Sequence, residues 1–206
     1  MQVKLDIIDS VLKDKVHYFG CLFIPKLTEQ NSDNFRLVKN WTKIVNLWSK
    51  DFVFVPINEE LHWSLITVVR PGLCLSSNLI DDNQPCLLVM DSLRMHDPAK
   101  YSKIVKNYLV DEYVARSSMT HTREELEEIS ERIQAMKYCK VSIPRQSNGY
   151  DCGVYVIKYI KYVLEMNPSS SQNDITTNFR DFFNENRFSQ DDIDAKRELL
   201  RSTILR

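Results

Sequence analysis

The stretch Arg145-Gln146-Ser147-Asn148-Gly149-Tyr150-Asp151-Cys152-Gly153-Val154-Tyr155-Val156 carries a cysteine where a polar, glycine-flanked turn opens into an apolar run of helix length. A thiol at a helix start lies among backbone N–H groups that have no intrahelical partner, at the positive end of the macrodipole. That field favours thiolate over thiol, and so favours nucleophilic attack. Cys152 is the candidate nucleophile.

Such a cysteine needs a base, and the base needs a group to orient it. The chain has four histidines. His17, His96 and His121 lie in polar or mixed surroundings without a repeated strand pattern. His62 differs: Asp51-Phe52-Val53-Phe54-Val55-Pro56 reads as a strand, Trp63-Ser64-Leu65-Ile66-Thr67-Val68-Val69 as a second, and residues 57–61 as their connection. His62 is thereby placed at the mouth of a buried strand. A third apolar run, Cys86-Leu87-Leu88-Val89-Met90, ends at Asp91-Ser92 and delivers a carboxylate at another strand end. His62, Asp91 and Cys152 can then meet along one edge of a sheet, with Asp91 holding the imidazole and the imidazole taking the thiol proton.

These motifs, in this order, resemble the ubiquitin-like-specific proteases, the Ulp or sentrin-specific peptidases that act on SUMO. The resemblance rests on His-Trp-Ser-Leu opening a strand, Asp-Ser closing a later one, and Gln-(five residues)-Cys-Gly with an aspartate before the cysteine. Val38-Lys39-Asn40-Trp41-Thr42-Lys43 and Asp51-Phe52-Val53-Phe54-Val55-Pro56-Ile57-Asn58 match as well, so the likeness runs from about Val16 to the C-terminus. The order His, Asp, Cys separates the chain from papain-like enzymes in which the cysteine comes first. Residues 85–94 and 151–156 are similar to the branch that trims poly-SUMO chains, and the polar connection over residues 70–85 stands where that branch carries an insertion. The N-terminal segment around residues 5–12 is short by comparison with the family.

The resemblance implies an α+β fold, the papain-like cysteine protease variant of the Ulp and adenain type, with a central mixed sheet flanked by helices and one catalytic domain over residues 1–206. It implies that Gln146 places its amide beside the oxyanion, with the Cys152 backbone N–H, and that Trp41 and Trp63 enclose the substrate's Gly-Gly tail. A flat aromatic tunnel passes glycines and rejects a residue with a Cβ.

Each residue has a structural alternative. Isolated cysteines are commonly small buried hydrophobes, the reading given to Cys21, Cys74, Cys86 and Cys139. His62 alone would read as a satisfied core histidine. Asp91 serves equally well, on local sequence, as a helix cap for the segment after Ser92. Trp48 reads as core, and Trp41 and Trp63 acquire a function only through the resemblance.

Composition sets limits. A chain of 206 residues with 43% hydrophobic and 27% charged residues has ample material for a core. A net charge of −1 makes no case for nucleic acid or membrane binding. No apolar run approaches the roughly 20 residues that span a bilayer, and no signal pattern opens the chain. Five cysteines without a spacing pattern argue against a disulfide framework. No zinc-type pair is present, so no metal or organic cofactor is implied. The expected setting is intracellular and reducing.

Helical spacing predicts three further helices. Thr122-Arg123-Glu124-Glu125 reads as a capping box ahead of Leu126, Ile129, Ile133 and Met136. Residues 101–114 place Ile104, Val105, Tyr108 and Leu109 on one side, and Ser189-Gln190-Asp191-Asp192 opens a C-terminal helix with Ile193, Leu199, Leu200 and Ile204 on its apolar face. Residues 74–84 and 167–174 read as loops.

The expected function is a SUMO-specific cysteine isopeptidase that cleaves after Gly-Gly. Two alternatives are the same triad on another ubiquitin-like modifier, and a SUMO-binding module without catalysis. SUMO and SUMO-conjugated proteins are the implied partners of a monomeric enzyme. The resemblance implies nuclear residence, with the cytoplasm as a second location.

Overall fold

The apolar runs flanking Glu60 and Leu61 become the two longest strands of the computed structural model, which describes residues 14–29, 33–77, 84–165 and 183–204. β2 (Phe52–Glu59) and β3 (His62–Val69) pair antiparallel, with Phe52 opposite Val69 and Glu59 opposite His62. This register leaves Glu60 and Leu61 alone as the turn, tighter than the connection expected over residues 57–61. Both have positive φ, 53° and 59°, as a two-residue type I′ turn requires to match the strand twist.

β1 (Val16–Tyr18) runs parallel to β2. β4 (Cys86–Met90) runs antiparallel to β3, and β5 (Lys137–Lys140) parallel to β4. The result is a mixed sheet in the order β1-β2-β3-β4-β5. Its central strands are mostly apolar, Thr67 aside in the buried middle of β3, because both faces are covered. Val53, Val55, Ile57, Ile66, Val68, Leu87 and Val89 face a first core. That core is completed by α1 (Phe23–Thr28), α2 (Phe35–Val38), α3 (Pro98–Ser117) and α4 (Arg123–Ala135). The alternate residues Phe52, Phe54, Leu65, Val69, Leu88 and Met90 face a second core, under α5 (Cys152–Glu165) and Ile193 of α6 (Gln190–Ile204). Each fully buried Ile, Leu or Phe in these layers contributes about 2 kcal/mol.

Local signals set the helix starts. Asp97 caps α3 by accepting from Ala99 N, with Pro98 at the first helical position, so the helix is longer than residues 101–114. The capping box of α4 is present in both directions: Glu125 N donates to Thr122 Oγ1 at 3.3 Å and Thr122 N to Glu125 Oε2 at 2.7 Å. In α6 only Ile193 is buried, while Leu199 and Ile204 are 57% and 61% exposed. The expected apolar face therefore meets the core at its first turn alone, and polar contacts around Arg197 hold the middle of the helix.

Cys74 and Cys86 are buried and Cys139 half-buried, as expected of small hydrophobes. A hydrogen bond with Cys139, and then burial, push the Cys86 thiol far up. Cys21 departs from the expectation: it is exposed in the turn between β1 and α1. Residues 5–12 and 167–174, and residues 78–83 of the expected loop 74–84, lie outside the described residues.

Candidate active site

Cys152 is the first residue of α5 and is 5% exposed. The turn before it is built by Asn148, whose Oδ1 accepts from the backbone N–H of Tyr150 and Asp151, both at 3.1 Å. The Asp151 carbonyl then accepts from Val154 N at 2.8 Å and Tyr155 N at 3.0 Å, which starts the helix. Cys152 thus sits in the first turn, where backbone N–H groups lack intrahelical acceptors. A Cβ on Gly153 would lie 3.8 Å from Cδ1 of Trp63, so the indole rests on the helix start. α5 packs on β3, and neighbours of His62 and Cys152 are in contact.

His62 opens β3 and is 2% exposed. Its Nε2 lies 2.6 Å from Asp91 Oδ1, and its Nδ1 is buried without a hydrogen-bond partner. Asp91 follows β4 directly. Its Oδ1 also accepts from Leu93 N at 3.0 Å and Arg94 N at 2.9 Å, and its Oδ2 from His96 N at 2.9 Å. Burial pushes this carboxyl up, but the hydrogen bonds from His62 and from backbone N–H groups outweigh it and hold the group below its ordinary range. An ionised Asp91 only accepts, so His62 Nε2 carries the hydrogen and the lone pair is on Nδ1. Asp91 bonds the turn after Ser92, but no helix begins there and α3 is capped by Asp97 instead, so the capping alternative does not hold; the same carboxylate holds the imidazole.

Gln146 is 7% exposed. Ser92 Oγ donates to its Oε1 at 2.6 Å, and its Nε2 donates to Asn148 O at 2.6 Å, which leaves one amide hydrogen uncommitted. Two tyrosines one turn apart on α5 hold the segment before it: Tyr159 OH donates to Pro144 O at 2.9 Å and Tyr155 OH to Arg145 O at 3.2 Å.

The two tryptophans pack on different cores. Trp63 packs against the second core, whereas the Trp41 ring meets Phe23 of the first at 5.9 Å. Thr42, beside Trp41, bonds Tyr108 and Glu112 on α3. Tyr101 of the same helix bonds Glu59, across the hairpin end from His62.

Sequence reasoning missed His96. It is buried, with its ring centroid 4.9 Å from that of His62; its Nδ1 lies 2.7 Å from Ser64 Oγ and its Nε2 3.2 Å from Glu59 O. His62, Asp91 and His96 have ligand-type atoms within 4.8 Å of one another. Every such atom except His62 Nδ1 is taken by a hydrogen bond, so the grouping reads as a polar network around the imidazole. A cavity of about 310 Å³ abuts Asp91 and His96, with Arg94 and Lys140 at its wall. Another of about 620 Å³ lies between α2 and α3, away from these residues. No helix among the described residues is long and apolar enough to cross a membrane.

Known proteins are similar to this chain in sequence and in fold. The model of the Ulp1 protease family, C-terminal catalytic domain, matches residues 4–197. The probable ubiquitin-like-specific protease 2B of Arabidopsis thaliana is 30% identical over 93% of this chain and 21% of its own length. Human sentrin-specific protease 2 is 33% identical over 74% of this chain and 22% of its own length. The chain therefore spans about a fifth of these relatives. A solved de-sumoylating protease has the same fold, with a TM-score of 0.66 at 23% identity, over 98% of this chain and 72% of that one.

Proposed function

The chain belongs to the Ulp1 protease family, and from that footing we propose that it is a cysteine isopeptidase which releases SUMO by cleaving after the modifier's Gly-Gly terminus. The observation that carries this reading is the His62–Asp91 pair at 2.6 Å, with His62 Nδ1 left without a partner, on the strand against which the helix opened by Cys152 packs.

In the reaction, His62 Nδ1 takes the Cys152 thiol proton and the thiolate attacks the carbonyl carbon of the terminal glycine. The carbonyl π pair moves to oxygen, where the Cys152 backbone N–H and the uncommitted hydrogen of Gln146 Nε2 receive the charge. Collapse expels the lysine amine, which leaves with the proton that His62 returns, and a thioester remains on Cys152. His62 then takes a proton from water, the hydroxide adds to the thioester, and the carboxylate and free thiol are regenerated. Asp91 fixes the tautomer and stabilises the imidazolium throughout.

Trp63, resting on Gly153, supplies an aromatic wall for the glycine tail. Trp41, packed on Phe23 and 39% exposed, offers the second aromatic surface that the resemblance assigns to the tail. Similarity of residues 85–94 and 151–156 to the chain-trimming branch supports poly-SUMO as a substrate. Nuclear residence and monomeric action follow from the same resemblance.

The test is incubation with a SUMO probe bearing a C-terminal electrophile, beside an otherwise identical ubiquitin probe, for wild type and Cys152→Ala. A covalent adduct with the SUMO probe alone, lost in the variant, is expected. An adduct that persists in Cys152→Ala would overturn the nucleophile, and no adduct with either probe would overturn the enzyme.

A further inference from the structure

Immediately before Cys152 the chain places a second buried carboxylate that the reaction does not use. Asp151 is 1% exposed. Its negative charge lies at the same helix start that favours a thiolate, and unbalanced it would oppose ionisation of Cys152, since like charges disfavour each other.

The balance comes from 46 residues away on α6. Arg197 Nε donates to Asp151 Oδ1 at 2.9 Å and its Nη2 donates to Oδ2, a two-pronged pairing. Oδ2 also accepts from Asn148 Nδ2 at 2.7 Å and Gln190 Nε2 at 3.2 Å. Burial pushes the Asp151 carboxyl up, but the bonds from Arg197, Asn148 and Gln190 outweigh it and keep it ionised. The contacts form one chain, from Arg197 to Asp151, to Asn148, to the Gln146 amide that Asn148 O holds, and on to Ser92. Arg197 also bonds Asp194 and lies 5.4 Å from the ring of Tyr150.

We propose that Arg197 is a positioning residue for the cysteine reaction: it neutralises Asp151 so that Cys152 ionises, and it braces the turn that aims Gln146. This rests on the reading of Cys152 as nucleophile. The charged or titratable groups bonded to or packed on this turn are Asp151 and Tyr150 of the turn, Tyr155 of α5, and Arg197 with Asp194 of α6, and the His62–Asp91 pair stands at the strand ends. Arg197 is the guanidinium that pairs with Asp151, and it stays cationic at all pH values of interest.

The experiment is the rate of Cys152 alkylation by iodoacetamide against pH, read by mass spectrometry on its own peptide. It compares wild type, Arg197→Gln, Asp151→Asn and the double variant, with folding checked by circular dichroism. In Arg197→Gln the midpoint should rise by about one pH unit, a tenfold loss of thiolate below it. In Asp151→Asn, which leaves the guanidinium unpaired, it should fall, and in the double variant it should return close to wild type. Midpoints unmoved in both single variants, or a double variant as displaced as Arg197→Gln, would overturn the proposal. Should Arg197→Gln not fold, the sign of the shift in Asp151→Asn decides alone. A wild-type Cys152 that titrates no lower than the exposed Cys21 would instead refute the nucleophile assignment on which the inference rests.

Discussion

Ser92 Oγ donates to Gln146 Oε1 at 2.6 Å, which joins the strand end that delivers Asp91 to the amide proposed to face the oxyanion. The residue next to the carboxylate and the residue six before the candidate nucleophile are fixed to each other in a buried contact. Ser92→Ala frees one end of that amide while Asn148 O still holds the other. A typical net hydrogen bond is about 1 kcal/mol, so kcat on a SUMO–aminomethylcoumarin substrate should fall about fivefold, with KM little changed. Gln146→Ala removes the donor itself and should cost about 100- to 1,000-fold in kcat. Equal effects of the two substitutions would contradict this division of labour.

The depressed Asp91 carboxyl gives a pH dependence of definite sign. Its folded-state value lies below the ordinary 3.8 because the bonds from His62 and the backbone outweigh burial. The folded state therefore binds its proton less readily than the unfolded chain does. The stability it contributes is fully present above the unfolded value and is lost as pH falls through the folded one. Asp151, held down by Arg197 against its burial, acts in the same direction. Thermal midpoints measured from neutral pH down to about pH 3 should fall for wild type more steeply than for Asp91→Asn, which has no carboxyl to protonate there. Parallel curves would refute it.

Much of the site was legible because its residues sit where hydrophobic pattern changes. His62 and Asp91 mark strand ends and Cys152 a helix start, and burial of both sheet faces makes those strands read as largely apolar runs. β1 and β5 were not legible: they have three and four residues, and β5 reads Lys-Tyr-Cys-Lys, so their extended form comes from pairing with β2 and β4. His96 escaped notice because it lies in an irregular turn whose shape is set by Asp91 accepting three backbone N–H groups. Arg197 sat in what reads as an amphipathic helix, and its partner is distant in sequence.

A close approach outside the site gives a stability test. A Cβ on Gly72 would stand 2.1 Å from the carbonyl oxygen of Trp48, backbone that cannot turn aside as a side chain would. The Trp48 ring is itself held edge-on to Tyr113, with centroids 5.3 Å apart. Gly72→Ala should therefore destabilise by about 3 kcal/mol, the upper range for overpacking, in urea unfolding followed by fluorescence. An unchanged midpoint would mean that the segment from Pro71 to Leu75 shifts freely.

The hairpin that presents His62 carries strain that substitution can release. Glu60 and Leu61 occupy the two central positions of their turn at φ 53° and 59°, where Asn-Gly is the favoured pair. Left-handed backbone costs an ordinary L-residue about 1–2 kcal/mol, and Leu61 regains none of it by packing, being 99% exposed. Glu59 and His62 on either side are fixed by bonds to Tyr101, Thr28 and Asp91, so the turn keeps its shape whatever occupies it. Glu60→Asn combined with Leu61→Gly should then stabilise the protein by about 1–2 kcal/mol, less the added freedom of glycine in the unfolded chain. For a chain of this size that is a rise in thermal midpoint of about 2–8 °C. A fall would show that the leucine side chain contributes to the fold in a way its exposure conceals.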